Sequence, residues 1–413
     1  MKIRSLLLGT AALAGLSTGA FAADLGVVTS LDVCDELGLS GLTISSDDNC
    51  LVITGSVTME YNLGNYKGGL GDHSYQNFAN SNGGKYTVID DIGFIDHPVD
   101  IDAWLKFVGT ANSDFGPATA TIKLISENNT GVADGTVGLD AAWVGIGDTT
   151  QLMAGYKNSI YNTGDDVPLN YLGLFNSSSV NTGVLDSKGP KTGDSAAIQV
   201  TSNLGNGIAV SGGIEQLGGP GITGVGVIAY AGDNITAHAS AAVDAAAKWK
   251  VHAGFTGAWD PIKVVGAISA DQSGYYDALG SISATFDMFT LAVSGEAAQD
   301  GYGVGGSMSA KVTDGVTLNL GGRYWNGTAS ATDTYQVEAG IVAAVTETIT
   351  VNGAIGVTQG DNVSTQYNPD PLALYGTAGV AWAPGGGFTS SSAVTVSSLG
   401  GYKWTFKAAK SIK

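Results

Sequence analysis

From Leu51 onward the chain alternates apolar and polar residues at a period of two, with no comparable helical period. Between Tyr302 and Val312 one parity carries Tyr302, Val304, Gly306, Met308, Ala310 and Val312. The other carries Gly303, Gly305, Ser307, Ser309 and Lys311. The same rhythm runs through 51–63, 249–259, 289–297, 316–324 and 349–357. Successive strand side chains point to opposite faces, so this pattern specifies strands with one apolar and one polar face.

Turn residues divide the strands: Asn206-Gly207, Gly232-Asp233-Asn234, Asp260-Pro261, Asp287-Met288 and Asp314-Gly315 recur about every 27 residues. Two membrane strands of ~9–11 residues, a tight turn and a short loop fill that interval. Earlier turns fall near Asp114 and Asp148, later ones near Thr346 and Gly385. Two connections, Gly64 to Pro98 and Asn158 to Gly193, are much longer. Short turns on one side and longer loops on the other predict a transmembrane antiparallel β-barrel. The strand tally is eighteen to twenty, and 51–413 is assigned to the barrel.

A soluble β-sandwich is the competing fold. It needs a charged outer surface of ~25–35% Lys, Arg, Glu and Asp, whereas charged residues make up 13% of this chain. The polar parity is mainly Thr, Ser, Asn and Gly, which suits a wet lumen. Tyr61, Trp249, Trp259, Phe286, Phe289, Tyr324 and Trp382 mark strand ends, where aromatic girdles belong.

Residues 1–22 read as a secretory signal peptide. Lys2 and Arg4 precede an apolar stretch too short to span a bilayer, and Ala20-Phe21-Ala22 offers a cleavage site. The formal charge of −19 becomes more negative without Lys2 and Arg4. Nucleic acid is thereby excluded as a natural partner, since its binders need a basic face. Cys34 and Cys50 lie in the segment 23–50 before the first barrel strand. In an exported chain an even cysteine pair reads as a disulfide, with two free thiols as the alternative.

Enzyme signatures and cofactor sites are not expected. There is no G-x-S-x-G elbow or H-E-x-x-H motif, and no Cys/His metal spacing. The run Gly224-Val225-Gly226-Val227-Ile228-Ala229 lacks the helix that a dinucleotide fingerprint requires.

Val33-Cys34-Asp35 through Asn49-Cys50-Leu51 resembles the alphaproteobacterial porins of rhizobia and Brucella. The start Met1-Lys2-Ile3-Arg4-Ser5-Leu6-Leu7-Leu8-Gly9 does so too, as does Asp140 to Gly147 followed by Leu152 to Lys157. The resemblance implies a sixteen-stranded, trimeric outer-membrane porin for passive diffusion of small hydrophilic solutes. It also implies outer-membrane lipid and lipopolysaccharide around the barrel, and the barrel-assembly machinery as a biogenesis partner. Members usually end on a terminal Phe. Here Tyr402, Trp404 and Phe406 keep the aromatic alternation, and Lys407 to Lys413 extends past it.

Parity places Glu60, Asp102, Lys106, Lys123, Lys157, Glu215, His238, Lys250, His252, Glu296, Arg323 and Glu338 on the inner face. The segment 158–193 is the candidate constriction loop, by its length and its place after the fifth strand. It carries Asp165-Asp166, which would oppose Lys106, Lys123, Lys157 and Arg323 across a narrow pore and orient polar solutes. Counting Glu60, Asp102, Glu215, Glu296, Glu338, Asp165 and Asp166 against the inward bases gives an expected modest cation preference. An adhesin or structural barrel, or a solute-specific channel, remains the alternative. The first long loop, with Tyr66, Tyr75, Phe78, Tyr86 and Phe94, is the feature that would serve an adhesin.

Overall fold

The structure is a computed structural model describing residues 33–46, 48–65, 99–128, 136–161, 167–175, 189–219, 221–327, 333–359, 372–398 and 401–412. The signal-peptide assignment, the aromatic first loop and the Asp165-Asp166 pair lie outside these residues.

A helical turn, α1 (Val33–Glu36), and a short strand, β1 (Leu42–Ser45), precede the long β2 (Asn49–Asn65). Then come β3 (Val99–Ala111), β4 (Ala118–Asn128), β5 (Gly138–Gly147) and β6 (Thr150–Lys157). After the second long connection follow β7 (Ser195–Gly205), β8 (Ile208–Leu217), β9 (Thr223–Ala231), β10 (Ile235–Asp244), β11 (Trp249–Trp259) and β12 (Ile262–Asp271). Next are β13 (Tyr276–Phe286), β14 (Phe289–Ala298), β15 (Gly301–Thr313), β16 (Val316–Gly327) and β17 (Thr334–Ala344). The chain closes with β18 (Ile349–Gln359), β19 (Ala373–Gly385), β20 (Phe388–Ser397) and β21 (Tyr402–Ile412).

From β2 to β21 every strand pairs antiparallel with its sequence neighbours. The pairing of β2 with β21, from Gly55↔Ile412 to Asn65↔Tyr402, closes the ring. Among the described residues the ring has twenty strands, so the sixteen implied by the family resemblance is corrected. Closure needs only an even antiparallel count, and the number of hairpin repeats in this sequence sets that count. Nine short turns, all at the positions the turn residues mark, lie at one end of the barrel. The long connections lie at the other.

The seam accounts for both termini. β1 stands outside the ring and pairs with the start of β2, from Leu42↔Ile53 to Ser45↔Cys50, in line with β21 on the same edge. Residues after Phe406 do not trail away: Lys407 to Ile412 complete β21 against Glu60 to Gly55. Cys34 and Cys50 form a disulfide with their Cα atoms 4.9 Å apart, tying α1 to the base of β2.

Local chemistry explains the hairpins. Asn206 (φ 53°) and Gly207 (φ 81°) both adopt left-handed backbone between β7 and β8. Two such residues in sequence make the turn whose twist matches antiparallel strands.

The outer face is apolar and exposed: Ile228 is 54% accessible, Val293 64% and Ile355 71%. Exposed apolar surface on this scale demands a non-aqueous covering. Trp249 and Trp259 bound β11, and Phe286 and Phe289 flank the β13–β14 turn, all exposed outward. The ten-residue step between the two tryptophans spans roughly 33 Å along the strand, about 25 Å of height at a 35–45° tilt, which matches the apolar band of a bilayer barrel.

Candidate functional site

The lumen has two unlike walls, because the connection between β6 and β7 folds back inside the ring. Its described residues meet successive strands in order. The Asn158 carbonyl accepts from Gln199 Nε2 of β7 (3.1 Å), and the Ile160 N–H donates to Glu215 of β8 (3.0 Å). The Tyr161 carbonyl accepts from Ser240 of β10 (3.0 Å), and the Leu169 N–H donates to Ser281 of β13 (2.9 Å). The Tyr171 N–H donates to Ser307 of β15 (3.0 Å), and its hydroxyl to Glu338 of β17 (2.8 Å). On the return, Lys250 of β11 donates to Thr192 (2.9 Å) and Thr223 of β9 to the Lys191 carbonyl (3.3 Å).

Apolar contacts reinforce these bonds. Leu174 is fully buried against Val265 and Ala267 of β12 and Leu279 of β13, with Leu169 alongside. Tyr161 is buried with Val225 and Val227 of β9 and Ala242 of β10, with Ile160 alongside. The barrel's cores thus lie between the inner wall and this segment, not at the barrel axis.

Glycines on the inner parity make room for it. A Cβ on Gly305 would lie 2.5 Å from Asn170 Nδ2 and 2.9 Å from Leu174 Cδ2. On Gly340 it would lie 2.6 Å from the Tyr171 hydroxyl.

The inward charges divide accordingly. Arg323 is buried, its Nε donating to Gln336 (2.8 Å) and its Nη1 to the Leu172 carbonyl (3.0 Å), with the guanidinium 4.0 Å from the Phe175 ring centroid. Glu338 accepts from Tyr171 and, on its other oxygen, from Tyr375 of β19 (2.8 Å). Glu215 also accepts from Gln199 Nε2 (2.8 Å). Lys250 lies over the Tyr161 ring at 4.7 Å, and His238 and His252 share a 2.8 Å hydrogen bond beside it. Glu296 is buried on the same wall.

Glu60, Asp102, Lys106, Lys123 and Lys157 occupy the other wall, formed by β2 to β6 and completed by β20 and β21, and all are half-buried. Lys123 Nζ is 2.6 Å from Asp140 and 5.3 Å from the Trp104 ring centroid. Lys157 Nζ is 5.2 Å from the Trp143 ring. Trp143 faces Gly155, whose φ is +139° and where an added Cβ would lie 2.5 Å from the Trp143 Cα, so no side chain fits. Glu60 pairs with Lys407 at 3.3 Å across the seam.

The structure therefore brings Arg323 together with 169–175, and Lys106, Lys123 and Lys157 together with one another, but not the two groups with each other. Sequence reasoning missed Gln199, Gln336, Tyr161, Tyr171, Leu174 and Tyr375. The apolar run Tyr171-Leu172-Gly173-Leu174-Phe175 inside a loop was the available signal, since such a run seeks burial. No group of three or more potential metal ligands occurs among the described residues.

No protein-family model matches the chain, and no curated protein matches it. Among solved structures, a mutant porin of Rhodopseudomonas blastica aligns over 87% of this chain and 99% of its own, at 13% identity and a TM-score of 0.41. A loop-deleted OmpT, an outer membrane protein of Vibrio cholerae, aligns over 88% of this chain and all of its own, at 8% identity and a TM-score of 0.39. At such low scores the fold rests on the strand pairing described above.

Proposed function

We propose that the chain is an outer-membrane porin of a Gram-negative bacterium, a water-filled channel for passive diffusion of small hydrophilic solutes and ions. One observation carries this reading: a closed ring of twenty antiparallel strands with an exposed apolar outside and a polar inside. Barrels of 16–18 strands already leave an aqueous channel, so a twenty-strand ring has room for both water and an inward segment. Outer-membrane lipid and lipopolysaccharide would cover the apolar band, and the barrel-assembly machinery would insert it.

The inward segment within 158–193 would set the constriction, with Asp165 and Asp166 facing Lys106, Lys123 and Lys157. Its many bonds to one wall favour this reading, because a loop docked to one side narrows a pore without plugging it. Subunits would associate as a trimer through the outer wall. An apolar notch of about 460 Å³ there, lined by Gly109, Ala111, Ala118, Ala120, Ala154 and Val144, admits a neighbouring wall closely.

Stepwise conductance of the purified protein in planar bilayers, with sugar-driven swelling of proteoliposomes, tests the channel. Folded protein that inserts without conducting would overturn it. Cross-linking in mild detergent should give a trimer band; a clean monomer by light scattering would remove that assignment.

A further inference from the structure

The inward segment occupies the acids on its own side of the lumen. Glu215 and Glu338 are fully buried, each accepting two hydrogen bonds, and Glu296 of β14 is buried on the same wall. The expected cation preference counts these three carboxylates, yet they are enclosed. The facing wall carries Glu60 and Asp102, and beside them a row of amines.

Lys106 stands directly opposite Lys123 in the β3–β4 register. Lys123 is in register with Ala141, and Ala142 with Tyr156, so Lys157 lies level with that same row. The Cα positions of the three lysines thus share one row of the inner wall, on β3, β4 and β6, with neighbouring strands about 4.8 Å apart. Two half-buried indoles lie with them, Trp104 against Lys123 and Trp143 against Lys157. Asp140 engages Lys123 at 2.6 Å, but an ammonium carries three donors and has capacity left for a second acceptor.

A carboxylate between Lys106 and Lys123 would receive charge-assisted hydrogen bonds from both. An adjoining indole offers an apolar plate to a planar group. Acetate uses only the amines, and a neutral ring only the plate; an aromatic carboxylate uses both. We propose that this row is a binding station for aromatic carboxylates, with benzoate the simplest member. The proposal rests on the lumen being water-filled, as the channel reading requires.

Equilibrium dialysis of benzoate, acetate and benzyl alcohol against the detergent-solubilised full chain, with a detergent blank, measures binding without reference to conduction. Benzoate should bind about tenfold more tightly than acetate, and benzyl alcohol should not compete with it. Lys106→Gln with Lys123→Gln should weaken benzoate at least about tenfold, whereas Trp104→Ala should lower it to the acetate level and leave acetate unchanged. Gel mobility before and after heating checks that each variant is folded. If the glutamine variants fail that check, Lys106→Arg with Lys123→Arg replaces them and should retain binding. Equal binding of benzoate and acetate, full competition by benzyl alcohol, full affinity in the glutamine variants or lost affinity in folded arginine variants would overturn the proposal. Benzoate block of bilayer current separates the two readings. Binding without any conductance defeats the channel and leaves the station; conductance with neither binding nor block defeats the station alone.

Discussion

The two walls of the lumen share backbone, register and alternation, yet they solve the problem of an inward polar side chain differently. Where the inward segment crosses β7 to β17, the charges it meets are buried and bonded by protein: Arg323 by Gln336 and a loop carbonyl, Glu338 by two tyrosines, one oxygen of Glu215 by a loop amide. On β2 to β6 and β21 they stay half-exposed and pair across neighbouring strands, as Lys123 with Asp140 and Glu60 with Lys407. A buried hydrogen bond to a charged group contributes more than an exposed ion pair, and leaving one partner unsatisfied costs its full desolvation. The covered wall is therefore scaffold, and on the channel reading proposed above the open wall is the surface left for solutes.

The largest separation between the walls should come from Arg323→Ala. It leaves the Leu172 carbonyl and Gln336 without a buried donor and removes the cation from the Phe175 face. Loss of about 3 kcal/mol of loop docking is expected. The readouts are higher and noisier single-channel conductance, and protease cleavage within 158–193 while the barrel keeps the wild-type gel mobility before and after heating. Next in size is Leu174→Ala, which opens a cavity beside Val265 and Leu279. About 2–3 kcal/mol of docking should be lost, measured by the same cleavage assay. If either variant unfolds the ring itself, the loop is part of the barrel's core and the division into scaffold and solute wall fails.

The ring was legible in the sequence because its rules are local. Alternation fixes the face of each strand, and Asn206-Gly207 or Asp314-Gly315 fixes where it turns. The strand number follows by counting repeats, which is why the tally of eighteen to twenty includes the observed twenty where the family resemblance implied sixteen. The division of the lumen was not legible, since it depends on which strands a distant loop crosses. Glu215 and Glu60 have the same chemistry and the same inward parity, and only the path of Ile160 past Glu215 distinguishes them. Two hints were nevertheless present. Val225, Val227 and Val265 are apolar on the inward parity, and the segment that covers them carries Ile160, Tyr161 and Leu174. Asp165 and Asp166, on which the transverse-field expectation leans, lie outside the described residues.

Glycines give a finer test of the same contrast. Gly305→Ala places a methyl group against Asn170 and Leu174, both of which must shift. A cost of about 1–2 kcal/mol is expected from overpacking. Gly226→Ala adds the same methyl to the outer face of β9, where nothing lies within 4 Å. It should change stability by no more than about 0.5 kcal/mol. Urea unfolding of the two variants in one detergent decides the matter; equal effects would mean that inward glycines are not there for the loop.

The smallest effect belongs to the open wall. Lys407→Ala breaks the 3.3 Å pair with Glu60, whose side chains are 50% and 31% exposed. Glu60 keeps its hydrogen bond from Asn62 (3.1 Å), and Asn62 in turn accepts from Thr405 (2.6 Å), so the β2–β21 seam retains a cross-strand link beside the broken pair. Exposed pairs contribute ~0–1 kcal/mol, and screening reduces that further as salt rises. The variant should therefore unfold within about 1 kcal/mol of the wild type at low ionic strength. In 1 M salt, where the Debye length is about 3 Å, the two should coincide. A larger, salt-independent loss would mean that Lys407 is held as Arg323 is, by desolvated bonds. The covered wall would then extend around to the seam.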